Sequence, residues 1–258
     1  MVASKIGNYH ITHGINCQDF GFEYATKSGI TFKVVCDGCS DGAHSEVGAK
    51  LFCKMFEQYI KANTNFDIAD NYLEAFLKNF DMKKWLNLTA AMCIQRITDF
   101  FDPDKFDQDI KDYCCFTILI AVIYKPLHDF DIYYCGDGFF LFGYDNRLSS
   151  HKLDDGEYPK YLAYNFIRNR DHMVTYKNDW MELTCFAKGR LTPLIIPALD
   201  YNNLTIGVAS DGFRYITKLE EEEIEKFDKA ILSGKSALVK RFINKYRSTF
   251  QDDITIVF

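Results

Sequence analysis

Three aspartates stand beside apolar runs at places where the chain must turn, and their side chains could act together. Asp37 and Asp211 each follow such a run, and Asp252 precedes the last one. Gly38 and Gly212 come directly after the first two, so the backbone can turn sharply there and leave each carboxylate at a sheet edge. Carboxylates that converge from separate strand ends are the ligands that hard divalent cations prefer. The three residues therefore predict a divalent-cation site.

The order of these motifs along the chain supports the prediction more than any single motif does. The sequence contains five Asp-Gly pairs, and most such pairs are simple turns, so any one of them is weak support. Other acids occur in similar contexts: Asp19 follows Gln18 before a strand, and Asp137 stands between two glycines. Taken alone, Asp19 could bond local amides, Asp137 could belong to a β-turn, and Asp252 could cap an edge strand. Only the complete set favours a shared site.

The first half of the chain contains the elements that must position these acids. Strand-like runs at 20–26 and 30–36 flank a Lys-Ser-Gly turn, which is typical of a hairpin. After the first Asp-Gly corner, apolar residues recur at three- and four-residue spacing and predict a helix. A second helical stretch is predicted over about 69–100, with a break near Asp81, followed by a polar loop over 102–112.

The second half is richer in strands. Strands are predicted at 115–124, 131–135, 139–144, 204–210 and 253–258, and helices near 219–232 and 236–246. The stretch 149–197 is irregular, polar and aromatic, and could form a lid over a site. Strands at both ends with helices between them favour an α+β fold, a four-layer α/β/β/α sandwich with two central antiparallel sheets. We expect residues 1–258 to form a single domain around one large core.

Composition and charge narrow the classes of function. The 30 basic and 36 acidic residues give a formal net charge of -6, which argues against nucleic acid and anionic membranes as partners. The nine cysteines form no paired C-x-x-C modules, so we expect reduced thiols and no zinc site. Cys36, Cys39 and Cys135 flank the proposed ligands and are interpreted as small apolar fillers.

The chain start also bears on location. The first ten residues lack the apolar centre of a signal peptide, and no apolar run is long enough to span a bilayer. These features predict a soluble cytoplasmic protein without a membrane partner.

The ordered motifs resemble those of the metal-dependent serine/threonine protein phosphatases of the 2C type, in particular the bacterial branch. The matching segments are Gly7 to His10 with Cys17 to Asp19, Val35 to Ser40 with Ser45 to Lys50, Cys135 to Asp137, Ala209 to Gly212, and Asp252 to Thr255. The resemblance extends from about residue 7 to residue 258. It implies an enzyme that hydrolyses phosphoserine and phosphothreonine in proteins, in signalling together with a cognate Ser/Thr kinase.

The resemblance also implies roles for individual residues. Asp37 would bridge two Mg²⁺ or Mn²⁺ ions, with the Gly38 carbonyl completing the coordination of one, while Asp211 and Asp252 would hold the other. Asp137 would join Asp211 in a third, weaker ion site. Two such ions lower the pKa of a bridging water, and the resulting hydroxide attacks the phosphoryl group in line. No protein nucleophile is then needed.

Residues behind the ligands complete the implied site. Gln18 and Asp19 would support the ligands without binding the ions directly. His10 and His13 could donate a proton to the leaving group, although an isolated histidine is more often a surface or core residue.

Three departures from the family pattern leave alternatives open. Cys39 stands where some relatives carry a histidine, Gly14 where many carry a phosphate-binding arginine, and no arginine follows Asp137. Charge stabilisation of the phosphoryl group would then depend on the ions alone. One alternative is a catalytically weakened binding or regulatory module that keeps the phosphatase fold. Another is a hydrolase of small phosphate esters, since the same ions would serve it.

Overall fold

Two antiparallel sheets of five strands form the centre of the protein. The computed structural model describes residues 1–64, 81–100, 103–124, 129–144, 146–153, 159–167, 184–188 and 204–258. In spatial order the first sheet contains β1 (Val2–Lys5), β10 (Ile254–Val257), β9 (Thr205–Ala209), β6 (Gly138–Tyr144) and β7 (Arg147–Leu153). The second contains β2 (Phe20–Ala25), β3 (Ile30–Cys36), β4 (Ile118–Tyr124), β5 (Asp129–Cys135) and β8 (Thr184–Lys188).

Helices cover the outer face of each sheet. Their bounds are α1 (Asn8–His13), α2 (Ser45–Thr64), α3 (Met82–Thr98), α4 (Phe106–Cys114), α5 (Glu221–Leu232) and α6 (Ser236–Lys245). Short 3₁₀ helices occur at Pro103–Lys105, Leu162–Phe166 and Asp211–Lys218. Within the described residues no helix combines the length and the apolar composition that crossing a membrane requires.

Side chains alternate along the strands and so divide the core into three layers. Val34 of β3 faces the apolar residues of α2, α3 and α4, whereas the next residue, Val35, faces the other sheet. Between the sheets, Leu119 packs in the same cluster as Val208. On the far side, Phe227 of α5 belongs to the cluster that joins α5 and α6 to the first sheet. The predicted four-layer α/β/β/α sandwich is confirmed.

Local sequence explains several element boundaries. The β2–β3 hairpin turns at Gly29, whose φ of 81° is a conformation that glycine adopts without strain. Asp81 begins α3 as its N-cap, because its side chain accepts a hydrogen bond of 3.0 Å from the Lys84 backbone N–H. The predicted helical break near Asp81 is therefore a helix start. The part of the 69–100 prediction before residue 81 lies outside the described residues.

Other local predictions are wrong. The polar stretch 102–112 contains α4, because its acids stabilise the helix N-terminus while Ile110 and Cys114 are buried. The stretch 149–197, predicted to be irregular, includes the end of β7, a 3₁₀ helix and β8. Neither β1 nor α1 was expected, since four and six residues are too few for a clear periodic pattern. Much of the proposed lid lies outside the described residues.

Candidate metal centre

The first Asp-Gly corner extends from the end of β3 and is held by the segment that precedes β4. The Asp37 carbonyl accepts a hydrogen bond of 2.7 Å from the Thr117 N–H, and the Asp37 N–H donates to Thr117 Oγ1 at 3.2 Å. Two residues on, the Cys39 N–H donates to the Cys115 carbonyl at 3.0 Å. These bonds continue the strand pairing past the turn and fix the direction of the Asp37 side chain.

Gln18 supports the same corner from behind. The Gly38 N–H donates to the Gln18 carbonyl at 3.2 Å, and Gln18 Nε2 donates to Ser45 Oγ, also at 3.2 Å. The Ser45 hydroxyl in turn donates to the Cys39 carbonyl at 2.8 Å. Gln18 and Ser45 are buried, so these bonds join the corner to the start of α2 away from water. Gln18 thus joins the corner to α2, while its support of metal ligands stays a prediction.

The second corner follows β9 and is joined to both sheets by Ser210. The Ser210 N–H donates to the Thr255 carbonyl at 3.0 Å, and the Thr255 N–H donates to Ser210 Oγ at 2.9 Å. The same hydroxyl donates to Asp19 Oδ2 at 2.6 Å. Ser210 therefore links the residue before Asp211 to an acid that directly precedes β2 of the other sheet.

The adjacent acids Asp252 and Asp253 have different roles. Asp253 is buried, and its two carboxylate oxygens accept hydrogen bonds from the N–H groups of Gly7 at 2.7 Å and Gln18 at 2.5 Å. His10 Nδ1 lies 2.9 Å from Asp253 Oδ1 and His10 Nε2 lies 3.8 Å from Asp252 Oδ1. Asp253 thus anchors the first residues of the chain, whereas Asp252 remains partly exposed toward the site.

Two glycines allow the backbones around this pair to approach closely. A Cβ on Gly212 would lie 1.9 Å from the Asp253 carbonyl oxygen. A Cβ on Gly7 would lie 2.3 Å from the Asp252 carbonyl carbon. Any larger residue would push these segments apart, so the position of Asp252 beside Asp211 depends on both glycines.

A guanidinium lies between the acids of the second corner. Arg214 Nη1 is 3.0 Å from Asp211 Oδ2, and Arg214 Nη2 is 3.6 Å from Asp252 Oδ2. Arg214 stands one turn after Asp211 in the 3₁₀ helix Asp211–Lys218, where residues three apart lie on one face. Its side chain is 52% exposed. Sequence reasoning missed this residue, although its three-residue spacing from Asp211 was visible.

Burial and mutual repulsion raise the pKa values of the clustered acids. Burial raises the pKa of Asp19 to about 8, and the charge of Asp253 adds to the increase. The pKa of Asp37 lies well above its ordinary value because of burial first and the charges of Asp19, Asp211 and Asp252 next. The cluster therefore holds protons at neutral pH unless cations replace them.

The pKa of Asp211 is also raised, but a nearby arginine offsets part of the increase. Burial raises its pKa to about 6, while the charge of Arg214 lowers it and those of Asp252 and Asp137 raise it again. Asp137 lies in the turn between Gly136 and Gly138, which have positive φ angles of 89° and 139°. The charge of Asp137 thus acts on Asp211, and a role of Asp137 at a third ion site stays a prediction.

The donor set fits hard divalent cations. Asp19 Oδ1 is buried and faces no fixed N–H or O–H donor among the described residues, and the neighbouring Asp37 carboxyl group can bond to Asp19 only while one of the two acids holds a proton. Oxygen-rich sites of this kind suit Mg²⁺ and Mn²⁺ better than soft metals. In the described chain no three His, Cys, Asp or Glu side chains are already arranged to hold a metal ion. Asp37, Asp211 and Asp252 would be the side chains to hold one, with Asp19 supporting Asp37 from behind.

The remaining predicted residues divide between the site and the surface. His10 is buried against the two terminal acids, whereas His13 is exposed and stacks on Tyr9 with 4.0 Å between ring centroids. Cys36 is buried, and neither it nor Cys39 nor Cys135 forms a disulfide. Burial raises the pKa of the Cys36 thiol, as expected for an apolar filler.

Tyr161 is a further neighbour that sequence reasoning missed. It is buried, and burial raises the pKa of its hydroxyl, with further increases from Cys39, Asp137 and Asp37. It belongs to a stretch without apolar periodicity, so no sequence signal marked it. Tyr161 packs in the same apolar cluster as Cys39 and so lies beside the first corner.

Solved structures with the same architecture cover nearly the whole chain. One is the PPM Ser-Thr phosphatase MsPP from Mycobacterium smegmatis in complex with cacodylate, at 14% identity and a TM-score of 0.50, with 99% of this chain and 95% of that chain covered. Another is the serine/threonine phosphatase Stp1 from Staphylococcus aureus, at 12% identity and a TM-score of 0.51, with 99% and 92% covered. At such identities the likeness shows the fold.

A third structure contains the PP2C phosphatase domain and a fragment of the regulatory domain of SpoIIE from Bacillus subtilis. The identity is 11% and the TM-score 0.54 over 99% of this chain, which spans 61% of the SpoIIE chain. Among curated protein sequences no significant match is found.

A family model decides the assignment. The model described as Protein phosphatase 2C matches residues 6–237, which include both Asp-Gly corners and Asp137. The expected class of enzyme is thereby confirmed at the level of the family. The chain belongs to the Protein phosphatase 2C family.

Proposed function

We propose that this protein is a metal-dependent phosphatase that hydrolyses phosphoserine and phosphothreonine in proteins. The observation that carries the proposal is the convergence of Asp37, Asp211 and Asp252 from three strand ends into one field of mutual repulsion. A group of acids this close is costly unless cations neutralise it. Family membership supports phosphoproteins as the class of substrate.

Each residue of the site has a proposed task. Asp37, the Gly38 carbonyl, Asp211 and Asp252 would hold two Mn²⁺ or Mg²⁺ ions, and Asp137 would contribute to a third. Bound ions of this kind activate water and neutralise the phosphoryl oxygens.

The surrounding groups position the ligands and can move protons. The Ser210 hydroxyl and Gln18 hold the two corners in place through the hydrogen bonds described above. His10 Nε2, 3.8 Å from Asp252 Oδ1, is the nearer candidate for a proton donor to the leaving group. His13 is exposed beside Tyr9 and is the weaker candidate. Buried Asp19 would keep Asp37 oriented through their adjoining carboxyl groups.

Phosphate release from a phosphothreonine peptide tests the proposal. The wild type with Mn²⁺ should release phosphate, and chelation should abolish the release. Asp37→Asn should lower kcat/KM by at least about 100-fold, because one of the carboxylates proposed to hold the ions is lost. Asp41→Asn is the matched control, since Asp41 lies four residues on and is exposed. An Asp37→Asn protein with the wild-type rate would defeat the proposal.

Two further outcomes separate the alternatives. Tight Mn²⁺ binding without release from any substrate would favour a binding or regulatory module. A strong preference for nucleotides or other small esters over phosphopeptides would favour a small phosphate-ester hydrolase. A Ser/Thr kinase as physiological partner and a cytoplasmic location remain predictions.

A further inference from the structure

Arg214 is the charged residue of the site that the proposed activity leaves unused. Its two terminal nitrogens contact Asp211 Oδ2 at 3.0 Å and Asp252 Oδ2 at 3.6 Å, so one guanidinium spans two acids proposed to share an ion. A divalent cation on the same oxygens repels the guanidinium at this separation. Arginine and ion therefore compete for one pair of carboxylates.

The ion pairs of Arg214 are weak enough to break, and the Tyr215 ring lies close to its guanidinium. Its side chain is 52% exposed, and ion pairs of exposed side chains are weak. The guanidinium carbon lies 5.2 Å from the Tyr215 ring centroid, and Lys218 Nζ lies 4.5 Å from the same centroid. The ring thus keeps two cations beside the acidic cluster by cation–π attraction. A displaced Arg214 would therefore stay within reach of the site.

We propose, as an inference that rests on the proposed function, that Arg214 alternates between two partners. It pairs with Asp211 and Asp252 while the ions are absent, and it binds the phosphoryl group of the substrate once the ions occupy those carboxylates. A planar guanidinium suits this role because its forked donors bind two phosphate oxygens at once. Lys218 adds positive charge on the same side. Arg214 is then a substrate-binding residue.

Two binding measurements on Arg214→Ala test both halves of the exchange. Isothermal titration with Mn²⁺ should show an affinity about threefold higher than that of the wild type, since a weak competitor is gone. Titration of the Mn²⁺-loaded protein with inorganic phosphate should show an affinity at least about tenfold lower, since a charge-assisted hydrogen-bond pair is lost. KM for a phosphothreonine peptide should rise in parallel.

Arg214→Lys separates charge from geometry. A lysine can still compete with Mn²⁺, so the Mn²⁺ affinity should stay near that of the wild type. Its ammonium cannot bind two phosphate oxygens as a fork, so the phosphate affinity should lie between those of Arg214→Ala and the wild type. Arg241→Ala is the matched control, because Arg241 is an exposed arginine of α6, and it should change neither affinity. Thermal melts verify that each variant is folded.

Several results would overturn the exchange. Unchanged Mn²⁺ affinity or unchanged phosphate affinity in Arg214→Ala would each do so. Mn²⁺ binding to Arg214→Ala but not to the wild type would show the guanidinium to be a fixed occupant of the site. Neither titration needs turnover, so a wild type that binds Mn²⁺ and phosphate but releases no phosphate from peptides would refute the proposed activity alone.

Discussion

The two Asp-Gly corners carry the same dipeptide after a strand but differ in their supply of positive charge. At the first corner, Asp37 adjoins the buried acid Asp19, and burial and neighbouring acids raise the pKa of both. At the second, Arg214 contacts Asp211 and partly offsets the increase in its pKa. The comparison indicates that the first corner depends on protons or bound ions, whereas the second carries a cation of its own.

Backbone support also differs between the corners. At the first corner the side chains of Gln18 and Ser45 add to the backbone hydrogen bonds, and the atom nearest a Cβ on Gly38 is the Ser45 hydroxyl oxygen, which can rotate away. The second is held by close backbone approach, since Gly212 packs against the Asp253 carbonyl. We therefore expect the first corner to be sensitive to charge and the second to be sensitive to volume.

The largest expected effect is the dependence of metal-free stability on pH. Asp19 ionises near pH 8 in the folded state against 3.8 ordinarily, so the folded protein binds more protons between these values. Stability from this group is complete below about pH 4 and is lost as pH rises to about 8, a loss of up to several kcal/mol. Chemical denaturation in EDTA at several pH values measures it.

Substitutions separate the contributions of the two corners to this loss of stability with rising pH. Asp19→Asn should flatten the decline in the free energy of unfolding more than Asp211→Asn does, because Arg214 already compensates Asp211. Adding Mn²⁺ should stabilise the wild type more at pH 8 than at pH 5, since ions replace protons. A stability that rises between pH 5 and 8 in EDTA would contradict the interpretation that the buried acids of the first corner lack a compensating positive charge.

Next in size is the effect of added volume. Gly212→Ala should lower the free energy of unfolding by about 3 kcal/mol, because its Cβ meets a backbone oxygen that cannot rotate away. Gly38→Ala should cost only about 1 kcal/mol, since the nearest obstacle is the Ser45 hydroxyl, 2.7 Å from the new Cβ. Urea denaturation compares the two, and equal losses would remove the distinction between the corners.

A smaller difference in stability is expected between substitutions of the adjacent acids Asp252 and Asp253. Asp253→Ala leaves the buried N–H groups of Gly7 and Gln18 without acceptors and should cost about 2 kcal/mol in EDTA. Asp252→Ala removes a partly exposed acid and should change stability by less than about 0.5 kcal/mol. Mn²⁺ titration should show the reverse order, with the larger loss of affinity in Asp252→Ala. Matching losses in both assays would contradict the assigned roles.

The smallest difference concerns the two serines that support the corners. Ser210→Ala removes a hydrogen bond to a carboxyl group and the acceptor of the Thr255 N–H, whereas Ser45→Ala removes bonds between neutral groups. Bonds to charged groups are the stronger, so Ser210→Ala should be less stable than Ser45→Ala by about 1 kcal/mol. Thermal melts at pH 8 provide the measurement, and an inverted order would argue against a link through Ser210.

Much of the fold could be predicted because its strands and long helices have clear periodic patterns. The hairpin of β2 and β3 and the helix α2 follow directly from apolar spacing and turn residues. The polar stretch that contains α4 was misinterpreted, since acids at a helix start resemble a loop when the buried face is narrow. Strand β1 gains its identity only by pairing with β10, more than 240 residues away.

By itself, the sequence determined which acids stand at strand ends, because a run of apolar residues followed by Asp-Gly defines a strand and a turn locally. Only the tertiary structure decided that Asp253 is an anchor while Asp252 faces Arg214, since the N–H groups of Gly7 and Gln18 that bind Asp253 come from the other end of the chain. The charge balance of the site likewise arises from residues far apart in sequence, whose mutual distances no local pattern encodes.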